Sequence, residues 1–250
     1  MKKERNLLKL LSDEECYSAS MEAFETARIH KEAAETIAKT RHYGIPVSHL
    51  ILSTEQLVVG VILYLQHLRL DVRNVEGVHL FFTDHVIKHR AATYINFLYP
   101  ILKLLMGVII KEKEKIYNPE TIVEYSEEEK AFMSKDEEKI KTIFNDLSEM
   151  FDWWEDANMK KNQGLYVDYS DRLETPMQIT EGEYKQALVI SLNFEKQITE
   201  IISHFESAST EDKDDIYKNR KSYKIDEILK SIIEARKKEI RDKKGKDKIL

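Results

Sequence analysis

Apolar side chains in this chain recur at every third or fourth position over long runs, a spacing that lines one face of an α-helix and that no β-strand reproduces. The clearest run is Ile140, Ile143, Phe144, Leu147, Met150, Phe151 and Trp154. A second follows the capping-box pattern Thr180-Glu181-Gly182-Glu183 and carries Tyr184, Ala187, Leu188, Ile190, Phe194, Ile198, Ile201, Ile202 and Phe205. Nearer the start, Ala23, Ala27, Ala33, Ala34, Ile37 and Ala38 give a helix from about Cys16 to Thr40 a small-residue face suited to close packing. The turn His42-Tyr43-Gly44-Ile45-Pro46 then opens a second helix, expected to run to about Leu70. Thr83-Asp84 is a cap for a third, reaching about Ile110 with a bend near Pro100. Ser126 to Glu129 and Ser134 to Glu137 both match a capping box, and one of them is expected to start the next helix. With only 7 Gly and 4 Pro in 250 residues, the many turns of a sandwich or barrel are excluded, and the expected class is all-α.

Charge divides the chain unevenly. The net charge is −6, yet residues 216–250 hold 13 Lys/Arg against 6 Asp/Glu, or +7, which leaves −13 on residues 1–215. We therefore expect a helical domain over 1–206 and a basic C-terminal helical extension over 207–250. Such an extension either binds nucleic acid or an acidic partner, or is a solvated helix whose interspersed acids balance it. Its apolar positions Ile225, Ile228, Leu229, Ile232 and Ile233 suit docking on the body or on another chain. A single cysteine, Cys16, excludes an intramolecular disulfide and a Cys-based zinc site. The apolar stretch Leu57 to Leu65 is about half the length needed to span a bilayer. A cytoplasmic protein without membrane association is the expectation.

Phosphate-binding glycine loops, His-Glu-x-x-His and Gly-x-Ser-x-Gly are absent from the sequence, so chemistry must be sought in isolated polar residues. Glu55 interrupts the nearly all-apolar run Leu50 to Val59, and a carboxylate placed there needs a partner. The nearest candidates are His85, Lys88 and His89 on the third helix, where His85 shares a face with either of the others. A structural buried pair is the alternative for Glu55, and a solvated face is the favoured reading of His89 and Arg90. His85 and His89 with Glu55 are a weaker metal-binding reading, lacking a third His or a Cys, and no metal or cofactor is expected. Arg73 and His79 match the Arg-x(4 to 6)-His spacing of metal-independent ribonucleases, in which histidine moves protons and arginine holds phosphate, although about one such match is expected by chance. Finally, Gly164-Leu165-Tyr166-Val167-Asp168-Tyr169 is strand-like between two helical patterns. It predicts a short extended insert in which Gly164 ends the preceding helix in a left-handed conformation, Tyr166 is packed and Asp168 bonds locally.

Three stretches together resemble the abortive infection V (AbiV) family of the HEPN superfamily. They are the Ala-rich helix with the turn at His42-Tyr43-Gly44 and the helix Ser48 to Tyr64; Leu80 to Lys88, similar to an aromatic-x-x-His-x-x-Lys pattern; and Lys161 to Tyr169, similar to Gly-Leu-Tyr-Val-Asp. The resemblance covers about residues 18–205. It implies a HEPN-like helical bundle, often a homodimer, with a role in phage defence and with RNA or a phage protein as partner. His85, Lys88, Glu55, Arg73 and His79 would then be catalytic candidates, and Gly164, Tyr166, Asp168 and Tyr169 binding candidates. Where the family pattern has Glu-Glu-x-Gly-Lys, this chain has Glu55-Gln56-Leu57-Val58-Val59. Either Glu55, His85 and Lys88 suffice for a metal-independent ribonuclease that arrests translation, or the domain is a non-catalytic module that senses a phage protein.

Overall fold

A computed structural model describes residues 7–118, 120, 122–134, 136–169, 173–209, 211, 218 and 224–246. The chain is all-α, as its periodicity requires. The helices bounded within the described residues are α1 (Asp13–Ala38), α2 (Gly44–His67), the single-turn α3 (Leu80–Thr83), α4 (His85–Tyr117), α5 (Glu127–Ser134), α6 (Glu137–Leu165), α7 (Glu181–Ser207) and α8 (Ile225–Lys246). Two residue pairs form the extended structure seen among the described residues: β1 (Asp168–Tyr169) lies antiparallel to β2 (Leu173–Glu174), with Asp168 opposite Glu174.

The chain forms two compact units, Met1–Ala92 with Glu155–Leu250, and Thr93–Trp154. The boundaries fall inside α4 and α6, whereas the sequence suggested a division after residue 206. The C-terminal helix belongs to the first unit because its apolar stripe is buried: Leu229, Ile232 and Ile233 are closed to solvent, and Ile233 lies against Gly77, whose φ of +84° tolerates no ordinary side chain. In the second unit, Ser126 and Glu129 form a reciprocal capping box at the start of α5. Both predicted boxes thus precede helices, since α6 begins just beyond Ser134. Pro100 does not break α4, which continues past the expected end to Tyr117.

In the first unit α1 and α2 run antiparallel. Positions 13, 27 and 30 of α1 meet 66, 53 and 49 of α2 through Gln66 Nε2 donating to Asp13, Ser53 Oγ donating to the Ala27 carbonyl at 2.7 Å, and the paired Nδ1 atoms of His30 and His49 at 3.0 Å. The alanine face makes this approach close, for Ala23, Ala27 and Ala34 are buried and a side chain on Gly60 would collide with the Phe24 ring. Cys16 lies in the same seam with no exposure. Lys31 of α1 bonds both carboxylate oxygens of Glu195, tying on α7. α2 is long and apolar enough to cross a membrane, but 72% of its apolar window is buried inside the protein, as in a core helix.

One contact decides where α6 delivers its side chains. Gly164 is helical, not left-handed, and so close to the first turn of α2 that a Cβ there would strike Ser48 Oγ and the Gly44 carbonyl. Ser48 Oγ donates to the Lys161 carbonyl at 2.7 Å. The predicted helix end is therefore a helix crossing, and Leu165 is the last helical residue.

Candidate functional site

Glu55 is buried at 1% exposure, and four nitrogens surround it. His85 Nδ1 lies 2.5 Å from Oε2, His89 Nε2 2.9 Å from Oε1, Lys161 Nζ 3.0 Å from Oε1, and Lys88 Nζ 3.7 Å from Oε2. Three helices contribute. α2 supplies the carboxylate, the first turns of α4 supply His85, Lys88 and His89, and the last turns of α6 supply Lys161. Asp84 fixes the start of α4 by accepting from the Val86 and Ile87 N–H groups at 2.9 and 3.3 Å, which sets the rotation of the three α4 side chains.

Burial alone would raise the Glu55 carboxyl, but the His89 hydrogen bond and the charges of His89, Lys161 and His85 reverse this and hold it down at about 2. Glu55 is therefore an anion, able only to accept, and both imidazoles must turn an N–H toward it. Burial pushes His89 below the ordinary imidazole range, with the Glu55 hydrogen bond and charge opposing it. Burial likewise lowers the Lys88 ammonium, with Glu55 opposing and Lys161 assisting. One carboxylate thus faces two lysines and two imidazoles. The positive capacity of this centre exceeds the single negative charge inside it. His85 is the member that reaches water, its side chain 47% exposed while those of Lys88, His89 and Lys161 are enclosed. Among the described residues, no group of three His, Cys, Asp or Glu has a metal-holding arrangement.

The structure brings together Glu55, His85 and Lys88, as the sequence led us to expect. It corrects the reading of His89, which is 3% exposed and bonded to Glu55 where a solvated face was expected. It also adds Lys161. A signal for it exists in the sequence: Lys161 falls on the stripe Ala157, Lys161, Gly164, three and four apart, whose neighbours are buried. A lysine on a buried stripe predicts an anionic partner. Arg73 is engaged elsewhere: its guanidinium lies 2.5 Å from Asp13 and its N–H donates to Gln66 Oε1 at 2.9 Å. Gln66 is about 16 Å along α2 from Glu55, counting 1.5 Å per residue. His79, half-buried just before α3, has its carbonyl bonded by Thr83 Oγ, and its ring is not among the four nitrogen donors around Glu55.

The binding candidates are also rearranged. Gly164 makes the helix crossing, and Tyr166, the first residue past the end of α6, is exposed at 64% where packing was expected. The backbones of Asp168 and Tyr169 form β1, while their side chains, and with them the expected local bonding of Asp168, lie outside the described residues.

Comparison with known families finds a match to the HEPN-type family model described as AbiV, over residues 15–193. No curated protein and no solved structure matches the chain.

Proposed function

Since the chain belongs to the AbiV family of HEPN domains, by a match that spans well over half its length, we propose that it is an abortive-infection protein acting on RNA through His85. The observation that supports this reading is the convergence of three separated sequence stretches on Glu55, with one imidazole reaching solvent. Glu55 holds Nδ1 of His85 as a donor, which leaves Nε2 as the proton acceptor. RNA carries its own nucleophile in the 2′-hydroxyl beside each phosphate, so a positioned base and a cationic surround are what the chain must supply. His85 Nε2 takes the 2′-hydroxyl proton and the 2′-oxygen bonds to phosphorus. The bond to the 5′-oxygen breaks, and the imidazolium returns its proton to that leaving oxygen. Glu55 stabilises the imidazolium throughout. Lys88 and Lys161 supply the excess positive charge that favours the negative charge growing on the phosphoryl oxygens. A cytoplasmic location and a homodimeric state belong to the same proposal.

A second reading rests on a different observation. Leu165, Tyr166, Val167, Ile45 and Met177 are exposed, and Pro176 lies against Gly44, so these apolar groups cluster where α6 meets α2. On this reading the chain binds a phage protein there and catalyses nothing.

Expressing wild type and His85→Ala, verifying equal folding by thermal melts, and measuring plaquing and total RNA after infection separates the two. Loss of both protection and cleavage in folded His85→Ala supports the nuclease. Protection that survives with RNA intact in both proteins removes it and leaves the binding reading.

A further inference from the structure

We infer that α8, which lies beyond the family-matched residues, is a clamp on the centre, with Arg236 and Glu239 as positioning residues for His85 and His89; this rests on the reading of His85 proposed above. The bonds form a closed circuit. Asp84 divides its carboxylate: Oδ1 accepts from the N–H groups of Val86 and Ile87, while Oδ2 accepts from Arg236 Nε at 3.1 Å. Arg236 Nη1 donates in turn to Glu239 Oε2 at 2.9 Å, and the same oxygen accepts from Arg90 Nη2 at 2.9 Å. Asp84 immediately precedes His85 and Arg90 immediately follows His89, so α8 grips the chain on both sides of the segment that faces Glu55. The gripping side chains are only 19–30% exposed, which screens them less than a surface pair.

The sequence spacing suits this role. Arg236 and Glu239 are one turn apart on α8, and Leu229, Ile232 and Ile233 hold the preceding turns of the helix in place. Arginine suits 236 because Nε and Nη1, two separate nitrogens of one planar group, reach Asp84 and Glu239 together, whereas a lysine has a single nitrogen to share between them. The basic extension thus bears on the centre through two residues, Arg236 and Glu239.

The test uses the full chain with Arg236→Gln, Arg236→Lys and Glu239→Gln. A ribonucleotide oligomer is the substrate, and amide exchange at Val86 and Ile87 and the His85 imidazole resonances are recorded in parallel. The clamp predicts that Arg236→Gln stays folded, that kcat falls about five- to tenfold with KM nearly unchanged, and that Arg236→Lys recovers part of the loss. The two amides should exchange about tenfold faster. An unchanged kcat, or a lowered one with these amides still protected, overturns the inference. If wild type cleaves no RNA, the proposed reaction falls separately. The amides and the His85 resonances then decide the clamp alone, which stands if both change and fails if either does not. If Arg236→Gln does not fold, Glu239→Gln carries the same comparison, because it cuts the circuit at the Arg90 side.

Discussion

Removing the Glu55 carboxylate would leave two lysines and two imidazoles facing one another in a space nearly closed to water. Breaking a buried ion pair by deleting one partner costs about 3–5 kcal/mol, and Glu55→Ala should fall in that range in urea denaturation. His85→Ala should differ. Its ring is half exposed, and Glu55 keeps His89 and Lys161, so the loss should be about 1 kcal/mol or less. Equal losses for the two variants would contradict the asymmetry between a buried centre and its one solvent-facing member. This asymmetry makes His85→Ala usable in an activity comparison, since the protein should remain folded.

At the level of helices, the closest approach is Gly164 on the first turn of α2. Gly164→Ala must push α6 outward, since both atoms a methyl group would meet belong to a tightly bonded turn. A destabilisation of about 1–3 kcal/mol is expected by thermal melt, with a loss of activity from the displaced Lys161. A Gly164→Ala variant that melts with wild type would show that the crossing has slack. Thr180→Ala removes the Glu183 N–H acceptor at the start of α7 and should cost about 1 kcal/mol without touching the centre. The contrast between these two positions also explains what the sequence could reveal. Thr180 and Asp84 are local signals, satisfied within three residues, and both were readable. Glu55 was readable as a site because a carboxylate on an apolar helix demands a partner. Lys161 as its partner was not, since it is 106 residues distant and the pairing depends on the α2–α6 crossing. The same crossing hid the fate of Gly164, whose local signal suggested a helix end. His89 was misread because neighbouring charged residues mask its place on the inward face, four residues from His85.

Across the molecule, several buried groups make stability depend on pH in one direction. Burial holds His30, His49 and His89 below the ordinary imidazole range, so the unfolded chain takes up protons at these sites before the folded one does. Stability should therefore fall as pH drops below about 6.5. Glu55 acts in a lower window. Its contribution is complete above its ordinary value of 4.5 and is lost as pH falls toward about 2. The full loss is about 3 kcal/mol, at 1.36 kcal/mol per unit. Denaturation midpoints at pH 7, 5 and 3 should descend in order, and a flat profile from 7 to 5 would show that the three histidines are not held neutral by the fold. The α1–α2 seam has one more consequence, for labelling kinetics. Cys16 is the chain's one thiol, it has no exposure, and burial pushes its pKa up, with the Arg73 charge opposing only in part. An alkylating reagent can reach it only when the seam opens, so the rate of adduct formation followed by mass spectrometry becomes a built-in clock for opening of this helix pair, needing no introduced probe.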